Sequence, residues 1–235
     1  MEKDLVLSRM AWMDMGEAAF ETEFAKLGEL QLSTPSLLPD WSKAMLVSHV
    51  NGNATALTNL CVWALTGVET PMYPSPEFRA KSIAGGSMAS FSDLLNAFRS
   101  TSAELRRHIS SLTSLDWTVE VRTARGRQVQ MSEVPLMRAR ETWIHLFDLG
   151  TGRSLSEMPD PLFEILFREG VDSLPQRSGG RAFSIEITGG EVLEVAGVDE
   201  PVRVRGDASD VLAWLLGRGG SLEITDAEVN LGPWL

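Results

Sequence analysis

The sequence holds one cysteine, Cys61, and three histidines, His49, His108 and His145, in 235 residues. A single cysteine excludes an intrachain disulfide and any zinc site built on thiolates. Positive charge is also scarce: 21 Lys and Arg stand against 32 Asp and Glu, for a formal net charge of −11. So acidic a chain lacks the basic surface that phosphate neutralisation needs, which argues against nucleic acid and against anionic membranes as partners. A small anionic substrate stays open, provided arginine or lysine gathers where it binds. The sequence has no run of about 18 apolar residues, the minimum for a membrane-spanning helix. Its opening, Met1-Glu2-Lys3-Asp4, has no apolar stretch behind a basic start, so no secretory signal is expected and a cytoplasmic location is. Neither an internal repeat nor a low-complexity segment is present.

What is there reads as a globular chain. Hydrophobic residues make up 43% and charged residues 23%, and the length suits one large domain or two small ones. Residues 4 to about 31 alternate apolar and acidic positions at helical spacing, with Leu5, Met10, Met13, Ala18, Phe20, Phe24 and Leu27 as candidate core. Asp40 or Ser42 is placed to cap a second helix running to about Thr66 and stopping at Gly67. Residues 68 to 88, rich in Pro, Gly and Ser, read as a long connection with one turn of helix near Glu77 to Ile83. Long ordered connections are often functional, and this one is a candidate cover for a site. A third helix opens at Ser90 or Ser92 and runs to about Leu112 on the stripe Leu94, Leu95, Phe98, Leu105 and Ile109. His108 lies beside that stripe, next to Arg106 and Arg107, and is expected to be solvated. Strand-like alternation follows at Trp117 to Arg122, with a return at Gln128 to Met131. Ser132 is expected to cap a fourth helix that tolerates Pro135 in its first turn and ends at Gly150.

After Gly152 the texture changes. Pro159-Asp160-Pro161 starts a helix of about ten residues. Strand-like runs follow at 182–187, 192–195 and 201–205, then a helix from Asp207 to Leu216 and a last strand at 221–224. The expected organisation is an α+β chain of two domains: a four-helix bundle over 1–152 and a small α+β domain over 153–235.

One stretch of the fourth helix carries candidate chemistry. Glu141 and His145 stand four apart and leave the same helix face one turn apart. His49, on the apolar face of the second helix, should point inward. If the two helices pack together, His49, Glu141 and His145 meet around one point, and three N/O ligands with a position left free is the catalytic zinc pattern. On spacing alone, such a Glu/His pair is more often a surface pair or a half-buried contact. Asn53, one turn beyond His49, is a candidate substrate contact; the plainer reading is a polar residue hydrogen-bonded within the bundle. Asp148 either orients an imidazole or sits solvated at the helix end. Arg138 and Arg140 flank the ligand pair off its face and are expected at the surface. Trp63, Trp143 and Cys61 are expected to be packing residues.

The order of three segments resembles a known family. Leu38-Pro39-Asp40-Trp41-Ser42 is followed by Leu46-Val47-Ser48-His49-Val50, then by Arg140-Glu141-Thr142-Trp143-Ile144-His145-Leu146-Phe147-Asp148-Leu149-Gly150. Gly67-Val68-Glu69-Thr70-Pro71-Met72-Tyr73, Gly217-Arg218-Gly219 and the closing Pro233-Trp234-Leu235 fit the same pattern. Together they resemble the mycothiol-dependent maleylpyruvate isomerases, in which a DinB-like metal-binding four-helix bundle precedes a sterol-carrier-protein-like domain. The resemblance implies one zinc ion per chain on His49, Glu141 and His145, with mycothiol or another small thiol as cosubstrate. It also implies a small anionic substrate, and a monomer is expected.

The implied reaction converts maleylpyruvate to fumarylpyruvate in gentisate-type aromatic catabolism. A thiolate adds to the electron-poor cis double bond, the resulting single bond rotates, and expulsion of the thiol leaves the trans isomer. Arg218 is the matching position for a catalytic, substrate-binding guanidinium that answers the dianion and the developing enolate. Its plainer reading is a charge at a helix C-terminus. Two other functions compete: an S-transferase joining the thiol to an electrophile, and a non-enzymatic carrier of metal or apolar ligands.

Overall fold

The computed structural model describes residues 2–225 together with 229, 231 and 232. Pro233-Trp234-Leu235 lies outside the described residues. The chain divides into two compact units, Met1–Gly152 and Arg153–Leu235. The first is helical and the second is built on a small sheet, giving a two-domain α+β architecture.

The first unit holds α1 (Glu2–Phe24), α2 (Lys43–Thr66), α3 (Pro76–Gly86), α4 (Phe91–Ser111) and α5 (Val134–Asp148), with a hairpin of β1 (Glu120–Arg122) and β2 (Gln128–Gln130) between α4 and α5. In the bundle α1 packs on α5 and α4, and α2 on α4 and α5, while α3 lies along α2. Helix α2 starts where Ser42 Oγ accepts from the Met45 N–H at 3.2 Å and stops where Gly67 turns left-handed at φ 69°.

Helix α1 differs from its expected reading at both its phase and its end. Its buried face is Val6, Arg9, Met13, Glu17, Phe20 and Phe24, while Leu5 and Ala18 are exposed. Two charged residues on the inner face shifted the apparent apolar stripe. The helix ends at Phe24, and the next buried apolar residue is Leu32; Gly28 between them is extended, and Gln31 Oε1 accepts from its N–H at 2.7 Å. Close approach of α1 to α5 depends on Gly16, where a Cβ would run into Thr142 Oγ1 and the Trp143 ring.

Residues 76–86 form a full helix rather than a single turn. Ser75 Oγ accepts from Phe78 N–H at 3.1 Å, and Pro76 stands at the first helical position. Ser132 does not cap α5; it lies in a 3-10 turn, Met131–Glu133, and its carbonyl accepts from Arg9 Nη1 at 3.0 Å. In the hairpin Val121 pairs with Val129, and both side chains are buried.

The second unit holds α6 (Asp160–Arg177), β3 (Phe183–Ile187), β4 (Val192–Val195), β5 (Val202–Gly206), α7 (Ala208–Leu215) and β6 (Glu223–Ile224). Helix α6 spans 18 residues, longer than expected, and carries Pro175 near its end. The sheet order is β4-β3-β5-β6, with β3 and β5 parallel and the outer pairs antiparallel. Phe183, Ile185, Val202 and Val204 from the sheet, Leu174 from α6, and Val211, Trp214 and Leu215 from α7 make its core. Among the described residues no helix is long and apolar enough to cross a membrane.

Candidate metal centre

Helices α2 and α5 bring His49, Glu141 and His145 together. His49 Nε2 lies 3.0 Å from Glu141 Oε2, and His145 Nε2 lies 3.3 Å from the same oxygen. The imidazole rings are 5.0 Å apart at 82°, and the Trp41 ring meets His49 edge-on at 5.6 Å. Both histidines are buried, whereas the Glu141 side chain is 30% exposed although Oε2 itself faces inward. The cluster therefore sits at the edge of the bundle and not in its centre.

Asp148 is fully buried, and His145 Nδ1–H donates to its Oδ2 at 2.8 Å. The solvated alternative for Asp148 is thereby ruled out. The bond fixes the His145 proton on Nδ1 and directs Nε2 at the cluster, the arrangement common behind metal-ligating imidazoles. The Asp148 carbonyl also accepts from Leu37 N–H at 2.8 Å, which ties the segment before α2 to the end of α5.

Electrostatics divide the two histidines. Burial lowers the His49 pKa, with Glu141 opposing. Burial also disfavours charge on His145, but its bond to Asp148 and its closeness to Glu141 outweigh that and hold it up at about 9. Burial opposes ionisation of Glu141, yet the fields of His49 and His145 keep it well below the usual carboxylate range. The site thus favours positive charge beside Glu141.

The donor set fits a divalent ion. His49, Glu141 and His145 each offer one ligand atom, all within 4.8 Å of one another. Glu141 Oε2 is buried, and the groups that approach it are the two imidazole Nε2 atoms, at 3.0 and 3.3 Å. A buried carboxylate oxygen faced by two imidazole nitrogens needs a proton or a cation between them. Two imidazoles and one carboxylate are ligands that zinc accepts while keeping a position for an exogenous group.

The family model described as the mycothiol maleylpyruvate isomerase N-terminal domain matches residues 14–150. The chain belongs to the mycothiol maleylpyruvate isomerase family. A crystal structure of the mycothiol-dependent maleylpyruvate isomerase is similar over 97% of both chains, at 31% identity and a TM-score of 0.89. A crystal structure of a histidine-to-alanine mutant of that isomerase is similar over the same share, at 30% identity and a TM-score of 0.89. No match was found among curated proteins. The chain is therefore an enzyme of the maleylpyruvate isomerase family, and the matched segment contains α2 and α5 with their three converging side chains.

Other residues singled out in the sequence fall elsewhere. Asn53 is buried and its Oδ1 accepts from Arg138 Nη1 at 3.1 Å. Arg138 is not at the surface. It is fully buried, donating to Glu17 Oε1 at 2.8 Å, the Val50 carbonyl at 2.8 Å and Ser102 Oγ at 3.1 Å. This one guanidinium joins α5 to α1, α2 and α4. Cys61 is buried, and desolvation pushes its thiol up to about 12. Trp143 is buried and donates to the Trp12 carbonyl at 3.0 Å. His108 is half-buried, with Nδ1 3.0 Å from the Glu104 carbonyl. In the second unit Arg218 stands between Gly217 and Gly219, both left-handed, and its Nη1 donates to the Leu216 carbonyl at 2.6 Å.

Two neighbours of the cluster were not read from the sequence. Arg79 Nη2 lies 3.3 Å from His49 Nδ1, and the Arg79 guanidinium sits 5.8 Å from the centroid of the Tyr73 ring. Burial and the Glu141 carboxylate raise the Tyr73 phenol. A signal for Arg79 was present: Ser75-Pro76-Glu77 is a helix start, and a helix begun there places Arg79 one turn in.

Proposed function

We propose that this enzyme is a zinc- and mycothiol-dependent cis–trans isomerase that converts maleylpyruvate to fumarylpyruvate. The observation that carries the reading is the convergence of His49, Glu141 and His145 on one point, with His145 braced by the buried Asp148. The similar crystal structures are of a mycothiol-dependent maleylpyruvate isomerase, which supports this choice of thiol and substrate. Zinc on two imidazoles and a carboxylate supplies a Lewis-acidic position at which a thiol loses its proton near neutral pH.

The chain's own residues have separate tasks in this reading. His49, Glu141 and His145 hold the ion. Asp148 keeps His145 in the tautomer that ligates through Nε2. Arg138 ties α5 to α2 through Val50 and Asn53 and to α1 through Glu17. Asn53, proposed from its place one turn beyond His49, contributes through that bond. Cys61 is too buried and too weak an acid to supply the thiolate, so the nucleophile comes from outside the chain. Arg218 is assigned to a carboxylate of the substrate, on the grounds that a dianion needs a cation beyond the ion itself.

The deciding assay combines metal-loaded protein with maleylpyruvate, with and without mycothiol, and follows fumarylpyruvate. Thiol- and zinc-dependent formation of the trans product is expected. Consumption of the thiol into a stable conjugate, with no trans product, would make the enzyme a transferase instead.

A further inference from the structure

Arg79 has no carboxylate paired with it among the described residues; its partners are His49 Nδ1 and Tyr73, through both ring and phenol oxygen. That contact fixes a tautomer. A guanidinium offers only N–H groups, so His49 Nδ1 must accept. A neutral imidazole accepting at Nδ1 carries its proton on Nε2, the nitrogen that lies 3.0 Å from Glu141 Oε2. A metal ligated at Nε2 needs the lone pair there. When the metal binds, the neutral ring must carry its proton on Nδ1 instead. The Arg79 N–H would then face a ring N–H, two donors with no acceptor between them.

The two imidazoles are therefore held in opposite ways. His145 Nδ1 faces Asp148, an acceptor, and is set for ligation through Nε2. His49 Nδ1 faces a donor, and is set against it. Helix α3 is not free to withdraw with its arginine. Ser48 Oγ donates to the Ile83 carbonyl at 3.0 Å, Ile83 is buried, and a Cβ at Gly86 would run into Ser48 Oγ. What can move is the half-buried Arg79 side chain.

We propose that Arg79 is a displaceable positioning residue: it holds His49 through Nδ1 in the metal-free protein and, once His49 ligates through Nε2, turns to a carboxylate of the bound substrate. The proposal rests on the zinc reading above. The substrate of that reading has two carboxylates, and within the first unit Arg79 is the guanidinium that touches the cluster. A further consequence is reciprocal coupling: carboxylate binding must strengthen metal binding by the same factor as metal strengthens carboxylate binding.

The test uses the full chain, zinc, and maleate as a cis-dicarboxylate probe. Chelator competition gives zinc affinity, calorimetry gives maleate affinity, and long-range 1H–15N NMR gives the His49 tautomer, with only three histidines to resolve. In the wild-type chain the His49 proton is expected on Nε2 without zinc and on Nδ1 with it, and zinc and maleate should strengthen one another equally. Arg79→Met removes the donor and keeps an unbranched side chain. It should bind zinc about 2- to 10-fold more tightly, as for loss of one opposing hydrogen bond, and lose most of the coupling to maleate. Arg79→Lys should keep part of that coupling. Weaker zinc binding by a folded Arg79→Met chain, or unchanged coupling in it, would overturn the role of Arg79 alone. A wild-type chain that takes up no zinc overturns the metal reading itself, a result visible before any variant is made.

Discussion

At the scale of single residues, the cluster depends on groups that do not touch the ion. Asp148 is the clearest case. Replacing it with Asn keeps an acceptor for His145 Nδ1–H but removes the buried charge behind the ring. Asp148→Asn is expected to weaken zinc binding about 10- to 100-fold, measured by chelator competition, with the helical circular dichroism spectrum unchanged. Arg218 is expected to behave differently. Arg218→Lys keeps charge but loses the planar pair of donors, so turnover should fall strongly while zinc content stays at the wild-type level. Cys61 gives a third test with its sign fixed by burial. Its thiol, raised to about 12, stays protonated at pH 8, so iodoacetamide should leave the native chain unlabelled and label it after denaturation. Thiol-dependent turnover should survive Cys61→Ala.

At the scale of elements, the bundle is organised by a buried charge as much as by apolar stripes. Arg138 on α5 reaches Glu17 on α1, Val50 and Asn53 on α2, and Ser102 on α4, and its guanidinium lies 5.7 Å from the Phe98 ring. Truncating one partner of a buried ion pair strands the other charge, although Glu17 keeps Arg106 at 3.1 Å. Arg138→Met is expected to cost about 3 kcal/mol in urea unfolding, and adding Glu17→Gln should recover part of it. The elements were unevenly legible. Ser42 and Gly67 mark the ends of α2 in sequence because capping is local chemistry. Arg138, one turn from Glu141, reads as a surface charge, since a buried arginine is legible only from partners 36 to 121 residues away. Helix α3 is faint in the sequence for a related reason: its burial is carried by Ile83 and a glycine contact to Ser48, which leave little apolar periodicity.

At the scale of the whole molecule, the metal ligands all lie in the first unit, on α2 and α5. A ligand stabilises what it binds by mass action, about 2.7 kcal/mol at a hundredfold excess over Kd. Zinc is therefore expected to slow amide hydrogen exchange in α2 and α5 and leave β3, β4 and β5 unchanged. Equal protection of the sheet would show the two units coupled in solution, and no protection in α2 would remove His49 from the ligand set.

The sequence by itself determined the two-part α+β organisation and the shared face of Glu141 and His145. Helical spacing sets the second, and the run of strand-like segments from 182 to 205 marks the first. The tertiary structure alone decided which groups stand behind the ligands. Asp148 could be solvated or buried until α5 was packed, and Arg138 could be exposed until Glu17, Val50, Asn53 and Ser102 were brought around it. Arg79 could not be placed on His49 until α3 lay along α2. Periodicity is a property of neighbouring residues, whereas the partner of a buried charge is set by chain-distant packing, and packing is what the linear order leaves open.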